Sequence, residues 1–241
     1  MFIPLKLQAM SKPYQYSGNE LFLFEEAKTW KRYFKKKIQH FIHGSVLEVG
    51  AGIGGTTKIL NDGSAKKWTM LEPDENMYSY LLKEMDSFPL NISIEKGSLT
   101  DVTQNFDTIL YIDVLEHIED DAAELARASA HLNGKGCLIV LCPAFNFLFS
   151  DFDRSIGHIR RYKKKELKKI TPPGMKLILI RYLDSAGFFA SAANKFLLHQ
   201  SYPSSSQIRF WNKCLVPISK ITDPLFLYLF GKSILTIWEK S

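Results

Sequence analysis

The segment at residues 46–60 constrains the fold more than any other part of the sequence. An apolar run that contains Glu48 breaks into glycines and then continues in residues compatible with a helix. The glycines are Gly50, Gly52, Gly54 and Gly55. Glycine tolerates positive φ, and its missing Cβ lets backbone N–H groups approach a ligand closely. The segment therefore predicts a strand, a tight turn and a helix N-terminus that together can bind a nucleotide-type ligand.

The glycine spacing alone leaves three alternatives open. Gly50, Gly52 and Gly55 fit the dinucleotide pattern GxGxxG. Glu48, Gly50, Gly52 and Gly54 fit ExGxGxG, a pattern of S-adenosylmethionine (AdoMet) sites. A plain turn without a ligand is the third alternative, so the rest of the chain has to decide between them.

Composition places the chain among soluble globular proteins. Its 241 residues suffice for one α/β domain with insertions, 46% are hydrophobic, and no apolar run approaches the about 18 residues of a membrane helix. Three cysteines without a zinc-site spacing predict core thiols in a reducing compartment, so we predict a cytoplasmic protein. The net charge of +6 is uneven, with basic clusters at residues 28–37 and 154–169. Such clusters favour an anionic partner or membrane surface, or are simply solvated helix faces.

The spacing of apolar residues predicts the order of elements. Residues 1–43 form an irregular arm followed by one amphipathic helix from Glu20 to Phe41, where apolar positions recur every three or four residues. The main domain follows over residues 44–241, with alternating strands and helices up to residue 143 and a turn at residues 134–136. Two late strands enclose a helical insertion at residues 188–230 and predict an antiparallel closing hairpin.

Aromatic residues are frequent in this insertion, and they have three interpretations. They pack in the core, roof an apolar pocket or form a dimer contact, and core packing is expected for most of them. These residues are Phe188, Phe189, Phe196, Trp211, Phe226, Tyr228 and Phe230. The insertion is therefore the expected source of substrate specificity.

Polar and small residues follow the predicted parallel strands, at the edge where open α/β sheets bind ligands. They are Glu72 and Pro73, Ser98 and Leu99, and Asp113 and Val114. Glu72 lies 22 residues after Gly50, and the ribose-binding acid of a dinucleotide fold lies about 20 residues past its first glycine. Glu72 is therefore predicted to bind ribose hydroxyls. Either Ser98 or Asp101 is predicted to read an adenine base.

Four motifs, taken in this order and spacing, make the chain resemble the class I AdoMet-dependent methyltransferase family. They are the segment from Val46 to Gly54, Leu71-Glu72-Pro73, the stretch from Tyr111 to Ile118, and Gly134-Lys135-Gly136. More narrowly, the chain resembles small-molecule methyltransferases of the ubiquinone-biosynthesis type, and bacterial relatives with a Gly-His-x-Arg-Arg-Tyr segment, here residues 157–162. A nicotinamide enzyme would explain neither Glu48 nor the closing hairpin.

The resemblance implies the fold and the cofactor. The fold is α/β, a Rossmann-like three-layer sandwich whose seven-stranded, mostly parallel sheet has the order 3-2-1-4-5-7-6. AdoMet is the implied cofactor and S-adenosylhomocysteine the product, with Glu72 on the ribose hydroxyls and with Glu48 and Asp113 near the methionine amino group. The residues implied to bind AdoMet are Glu48, Gly50, Ala51, Gly52, Gly54, Glu72, Pro73, Ser98, Leu99, Asp113 and Val114.

The acceptor side is predicted from the histidines. A general base is needed only where the nucleophile is protonated, and imidazole titrates near neutral pH. His158 is the favoured base and His117 the alternative, with Arg161 and Tyr162 bordering the acceptor. Glu116, His117 and Asp121 have ligating side chains, but the helix dipole explains acids at a helix start, so no metal is expected.

The predicted function is methyl transfer to an oxygen or nitrogen atom of a small, apolar or aromatic and anionic acceptor. An RNA methyltransferase and a non-catalytic AdoMet-binding protein are the alternatives. Nucleic acid is not the expected partner, because no RNA-binding module accompanies the basic clusters. Peripheral membrane contact is compatible with the sequence, as are a monomer and a homodimer.

Overall fold

The computed structural model describes residues 20–198 and 202–241, so the predicted arm over residues 1–19 lies outside the described residues. Within them, seven strands form one sheet: β1 (Ser45–Val49), β2 (Lys67–Glu72), β3 (Ile92–Lys96), β4 (Phe106–Ile112), β5 (Leu132–Pro143), β6 (Met175–Leu183) and β7 (Ser233–Lys240). The order is β3-β2-β1-β4-β5-β7-β6. Strands β1 to β5 pair in parallel, and β7 is antiparallel to β5 and β6. The predicted order and closing hairpin are confirmed.

The helices fill the connections between these strands. They are α1 (Glu20–Glu25), α2 (Lys28–Ile38), α3 (Thr57–Leu60), α4 (Glu75–Lys83), α5 (Asp121–Ala130), α6 (Asp151–Ser155), α7 (Lys164–Lys169), α8 (Ser185–Ala193), α9 (Ser205–Phe210) and α10 (Val216–Leu225). Two π-helical pieces, Asn194–Leu198 and Trp211–Leu215, lie in the insertion. No helix in residues 20–198 or 202–241 is long and apolar enough to cross a membrane.

Alternating side chains of the strands build one hydrophobic core on each face of the sheet. Val46 and Ile139 belong to the core that also contains α2 and the insertion, whereas their neighbours Leu47 and Leu138 belong to the core under α5 and α7. This alternation follows from the two-residue period of a strand. Because helices cover both faces, the fold is the predicted three-layer sandwich.

The N-terminal helix differs from its prediction, because it is broken into α1 and α2. Ala27 leaves the helical conformation, with ψ of 46°. The side chain of Lys31 donates to the carbonyls of Phe24 and Glu25, at 3.0 and 3.3 Å, and so satisfies acceptors at the end of α1. Asn212 donates to the Glu26 carbonyl over 3.1 Å and accepts from the Trp30 N–H over 3.0 Å. The break therefore depends on a residue of the distant insertion.

The predicted turn at residues 134–136 is also absorbed into regular structure. Strand β5 begins at Leu132, and the chain passes this point with Lys135 at φ 64°. The register between β4 and β5 shifts between Phe106 and Thr108. The turn therefore survives as an irregularity at the start of a twelve-residue strand.

Two buried aspartates anchor the helical insertion to the sheet and to α2. Asp184 accepts hydrogen bonds from Trp211 Nε1 and Ser219 Oγ, both at 2.7 Å. Asp223 accepts from the N–H groups of Asp184 and Ser185 and from the Tyr33 hydroxyl, at 2.7 to 2.8 Å. Since buried polar groups are costly unless hydrogen-bonded, these contacts fix where the insertion lies and so where Trp211 points.

Candidate active site

A cavity of about 550 Å³ lies at the carboxyl ends of the parallel strands. It contains most of the residues predicted to bind AdoMet, namely Glu48, Gly50, Ala51, Gly52, Glu72, Pro73, Ser98, Leu99, Asp113 and Val114. Of the residues predicted for the acceptor side, His117, His158 and Arg161 line the same cavity. The residues predicted to bind AdoMet and those predicted to border the acceptor therefore line the same cavity.

The glycine turn is shaped by its contacts with β2 and with the loop after β4. Gly50 has φ 67°, and its N–H donates to the Leu71 carbonyl over 2.8 Å. A Cβ at Gly50 would lie 2.7 Å from Val114 Cγ2, so this position requires glycine on two grounds. The turn therefore presents bare backbone to the cavity.

Gly54 does not line the cavity, although it was predicted as the third glycine of the AdoMet pattern. Its φ is 75°, and a Cβ there would lie 2.5 Å from Phe88 Cζ. Gly55 lies in the cavity wall instead. The role of Gly54 is therefore to pack the turn tightly against Phe88.

Glu72 is held by backbone donors on both of its carboxylate oxygens. The Gly52 N–H donates to Oε2 over 2.7 Å, and the Asp74 N–H donates to Oε1 over 2.9 Å. Burial raises the pKa of Glu72 to about 7, against the lowering effect of these donors. Asp74 in turn caps α4 by accepting from the N–H groups of Asn76 and Met77. Glu72 is thus rigidly oriented at the cavity wall, and its carboxylate oxygens can accept hydrogen bonds from ribose hydroxyls.

Glu48 lies beneath the glycine turn. Its Oε2 accepts from Thr57 Oγ1 over 2.5 Å and from Trp68 Nε1 over 2.9 Å. Only 2% of its surface is exposed, and this burial raises its pKa to about 7. Glu48 therefore ties β1 to α3 and β2 as well as forming part of the cavity wall.

The residues after β3 are arranged as a small capping box. Ser98 donates its N–H to Asp101 Oδ2 over 2.8 Å, and its hydroxyl contacts Asp101 and Thr100. Ser98 and Leu99 line the cavity, whereas Asp101 does not. Of the two alternatives for reading the base, the geometry places Ser98 at the cavity.

Asp113 follows β4 in a left-handed conformation, with φ 54°. Its N–H donates to the Leu141 carbonyl over 2.8 Å, which holds the turn against β5 while the side chain faces the cavity. Enclosure by the cavity walls raises its pKa, and the charges of His158 and Lys232 oppose the shift. Asp113 therefore stands between the glycine turn and the histidines.

His158 is fixed by a buried aspartate that the sequence analysis missed. Asp153 Oδ1 lies 2.9 Å from His158 Nδ1 and accepts from Arg161 Nε over 2.9 Å, while Asp153 Oδ2 accepts from Arg161 Nη2 over 2.8 Å. Burial favours the neutral acid, but the bonds to His158 and Arg161 outweigh it and hold the pKa of Asp153 below its usual range. The available signal was Ser150-x-x-Asp153, a capping box that the structure forms at α6.

Glu116 and His117 lie on the other side of His158. Glu116 is fully buried, and neither of its carboxylate oxygens has a hydrogen-bond partner within the described part of the chain. His158 Nε2 lies 3.5 Å from Glu116 Oε1. The His117 ring meets the His158 ring edge-on, with centroids 4.7 Å apart, and its Nδ1 lies 3.1 Å from the Gly157 carbonyl. A carboxylate and two imidazoles therefore converge at one end of the cavity.

Tyr162 lies away from the cavity, although it was predicted to border the acceptor. Its hydroxyl donates to Asp121 Oδ2 over 2.8 Å and contacts the Leu115 carbonyl at 3.2 Å. Burial and the bond to Asp121 raise its pKa far above the usual range. Tyr162 therefore holds the loop after β4 in place from behind.

Fewer aromatic residues of the insertion line the cavity than the sequence analysis considered. Of the seven aromatic residues considered, only Trp211 lines the described cavity. Phe188 and Phe230 pack against each other with ring centroids 5.4 Å apart, and Phe189 is 59% exposed. The remaining aromatic lining comes from residues that the sequence analysis did not single out, namely Phe24, Trp30, Phe34 and Phe152.

Two lysines in the cavity wall were also missed. Lys31 is buried, which lowers its pKa to about 8. Lys232 Nζ lies 4.2 Å from the centroid of the Trp211 ring and 5.8 Å from that of Phe24, and burial lowers its pKa. Neither lysine belongs to a recognisable motif, so only the fold could bring them to the site.

The arginines of the basic stretch at residues 154–169 are internally paired. The pairs are Arg154 with Asp151, Arg160 with Asp121, and Arg161 with Asp153. A charge already paired with a carboxylate offers little to a phosphate backbone. These three arginines therefore give no support to the RNA methyltransferase alternative.

Comparison with known protein families gives a match to part of the chain. Residues 46–136 match the family described as "Methyltransferase domain". A search of curated protein sequences gives no match.

Solved structures share the fold at low identity. Coclaurine N-methyltransferase bound to N-methylheliamine and SAH is 13% identical, with a TM-score of 0.61 over 89% of this chain and 71% of that one. A S-adenosylmethionine-dependent methyltransferase from Clostridium acetobutylicum ATCC 824 is 11% identical, with a TM-score of 0.59 over 92% and 97%. N-methyltransferase NodS from Bradyrhizobium japonicum WM9, in complex with SAH, is 13% identical, with a TM-score of 0.55 over 90% and 87%. At such identities the likeness shows a common fold.

Proposed function

We propose that this chain is a class I AdoMet-dependent methyltransferase, and that it methylates an oxygen or nitrogen atom of a small aromatic metabolite that carries an anionic group. The observation that carries the proposal is the position of Lys232 over the Trp211 ring, inside the cavity that Glu72 and Asp113 also line. A cation beside aromatic surface is suited to an acceptor with a flat ring and a carboxylate.

AdoMet supplies an activated methyl group on a sulfonium. Methyl transfer is an in-line displacement that neutralises charge, so the protein must mainly align the two reactants and exclude water. In the proposed arrangement, Glu72 binds the ribose hydroxyls, the turn from Gly50 to Gly52 borders the methionine portion, and Asp113 faces its amino group. His117 and His158 face the acceptor, as predicted from the sequence.

The experiment is a search for the acceptor followed by a test of Lys232. A metabolite extract treated with the protein and isotopically labelled AdoMet should yield a labelled small molecule by mass spectrometry. For a carboxylate-bearing acceptor, Lys232→Met should raise KM by about 10–100-fold, the range for losing a charged hydrogen-bond partner. Label that enters only RNA or protein would contradict the proposal.

Lys195→Met is the matched control. Lys195 donates to the carbonyls of Phe147 and Phe149, both at 2.6 Å, and does not line the cavity. The same substitution there should leave KM unchanged. Equal effects of the two substitutions would show that loss of charge in general, and not Lys232, sets affinity for the acceptor.

A further inference from the structure

We propose that helix α10 and the turn after it dock on a membrane surface that contains anionic lipids. The contact consists of exposed apolar side chains, which we call the α10 surface. They are Ile218, Ile221, Leu225, Phe226, Leu227 and Leu229. None of them lines the cavity. The inference therefore goes beyond the proposed function and does not depend on which acceptor the cavity binds.

One face of α10 is apolar and exposed. Ile218, Ile221 and Leu225 follow one another at steps of three and four residues, so they lie on the same face of the helix. Their exposed fractions are 48%, 71% and 71%. The opposite face of the helix is the buried one, and it includes Val216 and Asp223. A contiguous exposed apolar face of this kind marks an interaction site.

The turn after α10 presents further apolar side chains in a strained conformation. Leu227 and Leu229 are 76% and 65% exposed. Leu227 and Tyr228 have φ of 51° and 55°, a region that residues other than glycine rarely adopt. The Leu227 N–H donates to the Pro224 carbonyl over 3.0 Å, which helps to fix the turn. Because the fold tolerates this strain while the leucines stay exposed, we infer that the leucines have a function.

Three cationic side chains from separate elements gather around Tyr228, between these two leucines in the chain. Lys37 Nζ, on α2, donates to the Tyr228 hydroxyl over 3.0 Å. Lys164 Nζ, at the start of α7, donates to the Tyr228 carbonyl over 3.1 Å. The guanidinium of Arg181, on β6, lies 4.6 Å from the centroid of the Tyr228 ring. The apolar turn therefore has a cluster of positive charge beside it.

This cation cluster, formed by Lys37, Lys164 and Arg181, is not neutralised by nearby carboxylates. None of the three side chains belongs to an ion pair within residues 20–198 and 202–241. Burial lowers the pKa of Lys164, and so do the charges of Lys168 and Arg181, which indicates a positive potential there. The cluster is therefore suited to an anionic partner.

The composition of the insertion agrees with such a partner. Residues 188–230 contain four lysines or arginines and one acid, Asp223. Asp223 is buried, and it accepts from the Tyr33 hydroxyl and from the Asp184 N–H, both over 2.7 Å. The insertion therefore adds apolar and cationic side chains to the surface of the protein, while its acid is used inside the fold.

Apolar side chains next to unpaired cations favour a lipid surface over other partners. Leucine and phenylalanine can enter the boundary of the acyl chains while lysine and arginine meet the lipid phosphates. A second copy joined through the same surface would bring two clusters of like charge together. An apolar protein groove would cover the leucines and leave the cations without counter-charges. An anionic membrane surface matches both features.

Vesicle flotation tests the proposal. The purified protein should float with vesicles of phosphatidylcholine and phosphatidylglycerol in equal parts, and much less with vesicles of phosphatidylcholine alone. Each lysine or arginine near an anionic surface strengthens binding by roughly 5-fold, and added salt screens this attraction. The fraction bound should therefore fall as the salt concentration rises.

Two variants locate the contact. Leu227→Ser combined with Leu229→Ser removes two apolar side chains of the turn, and should weaken binding to the mixed vesicles by about 10-fold or more. Arg181→Gln removes one charge of the cation cluster, and should weaken binding by about 5-fold at low salt. Circular dichroism and thermal unfolding check that each variant is folded.

Matched controls lie on the other side of the sheet from β6. Leu90, shortly before β3, is fully exposed, and Lys67, at the start of β2, is exposed as well. Leu90→Ser and Lys67→Gln should leave vesicle binding unchanged. If they weaken binding as much as the variants of the turn and of Arg181, the α10 surface is not the contact and the proposal is overturned.

The remaining outcomes separate this inference from the proposed function. Failure to bind the mixed vesicles overturns the docking, as does binding that survives Leu227→Ser with Leu229→Ser. A dimer in solution that this double variant dissociates, without any binding to vesicles, assigns the α10 surface to a second copy instead. In each of these cases methyl transfer to a small molecule still supports the proposed function. Docking with the expected variant pattern stands even where no methyl transfer is found.

Discussion

Two buried glutamates differ in their hydrogen bonding: Glu72 lines one end of the cavity, and Glu116 lies beside His158, which lines the other end. Glu72, at the cofactor end, accepts a backbone N–H on each carboxylate oxygen. Glu116, at the acceptor end, is more deeply buried and accepts no hydrogen bond from the described residues. The hydrogen-bonding capacity of Glu72 is used by its own fold, whereas Glu116 has no hydrogen-bond partner in residues 20–198 and 202–241.

This difference indicates what each end is built to hold. A carboxylate with donors already in place can add the hydroxyls of a neutral sugar as further weak donors. A carboxyl group without donors has its pKa raised well above the usual range by burial, so the acceptor end holds Glu116 as the neutral acid. Three experiments test the comparison, beginning with the largest expected effect.

The same substitution at the two glutamates should change stability in opposite directions. Glu72→Met leaves the N–H groups of Gly52 and Asp74 without acceptors, and should lower the free energy of unfolding by about 1–3 kcal/mol for each. Glu116→Met replaces a buried carboxyl group that has no hydrogen-bond partner among the described residues by an apolar side chain of similar size, and should raise the free energy of unfolding by about 1–3 kcal/mol. Urea denaturation of the two variants measures both changes.

A loss of stability at both positions would break the comparison. It would mean that Glu116 contributes to folding through a contact with its own chain. The difference between the ends of the cavity would then be one of degree.

The cofactor end could be predicted from the sequence because its determinants are local. The glycine turn and Glu72 lie within 27 residues, on two strands that are adjacent in the sheet. The positive φ at Gly50 requires a glycine, and the acid at the end of β2 is a glutamate, so residue type alone reveals both features. The order of the strands was implied by the family resemblance, and the structure confirms it.

The acceptor end was predicted less completely because its determinants are distant in sequence. Asp153 lies in a stretch without regular periodicity, and its importance depends on His158 and Arg161 folding onto it. Lys31 and Lys232 are brought to one cavity from opposite ends of the chain. No spacing pattern in the sequence predicts that these two lysines line the same cavity.

Tertiary contacts also overrode two local patterns. The periodic stretch from residue 20 to 41 breaks at Ala27, where Lys31 and the distant Asn212 satisfy the freed carbonyls. Gly54 matched the AdoMet pattern, yet its contact with Phe88 explains it by packing. In both cases the deciding contact is a side chain outside the motif.

The second prediction concerns Glu48, a third buried carboxylate at the cofactor end. Its pKa is about 7 in the folded protein, against 4.5 for an ordinary glutamate, so the folded state binds the proton more tightly. Stability from this group is therefore complete below pH 4.5 and is lost as pH rises to about 7, by roughly 3 kcal/mol in total. Glu48→Gln removes the titration and should flatten this part of the stability profile.

Denaturation of ligand-free wild type and Glu48→Gln at several values between pH 4.5 and 8 measures the difference. The comparison between the two proteins cancels the similar contribution of Glu72, which both retain. Parallel profiles would show that the bonds from Thr57 and Trp68 keep Glu48 ionised in spite of its burial.

The smallest expected effect is on cofactor affinity, and it tests what Glu72 binds beyond its own backbone. Glu72→Gln keeps the shape of the side chain but replaces one oxygen by an amino group, which can no longer accept from a ribose hydroxyl. AdoMet affinity measured by calorimetry should fall by about 10–100-fold, or ~1.5–3 kcal/mol. Glu75→Gln, the same change three residues later at an exposed glutamate paired with Lys96, should leave the affinity unchanged. If Glu72→Gln binds AdoMet as tightly as the wild type, Glu72 only shapes the glycine turn and does not bind the ribose hydroxyls.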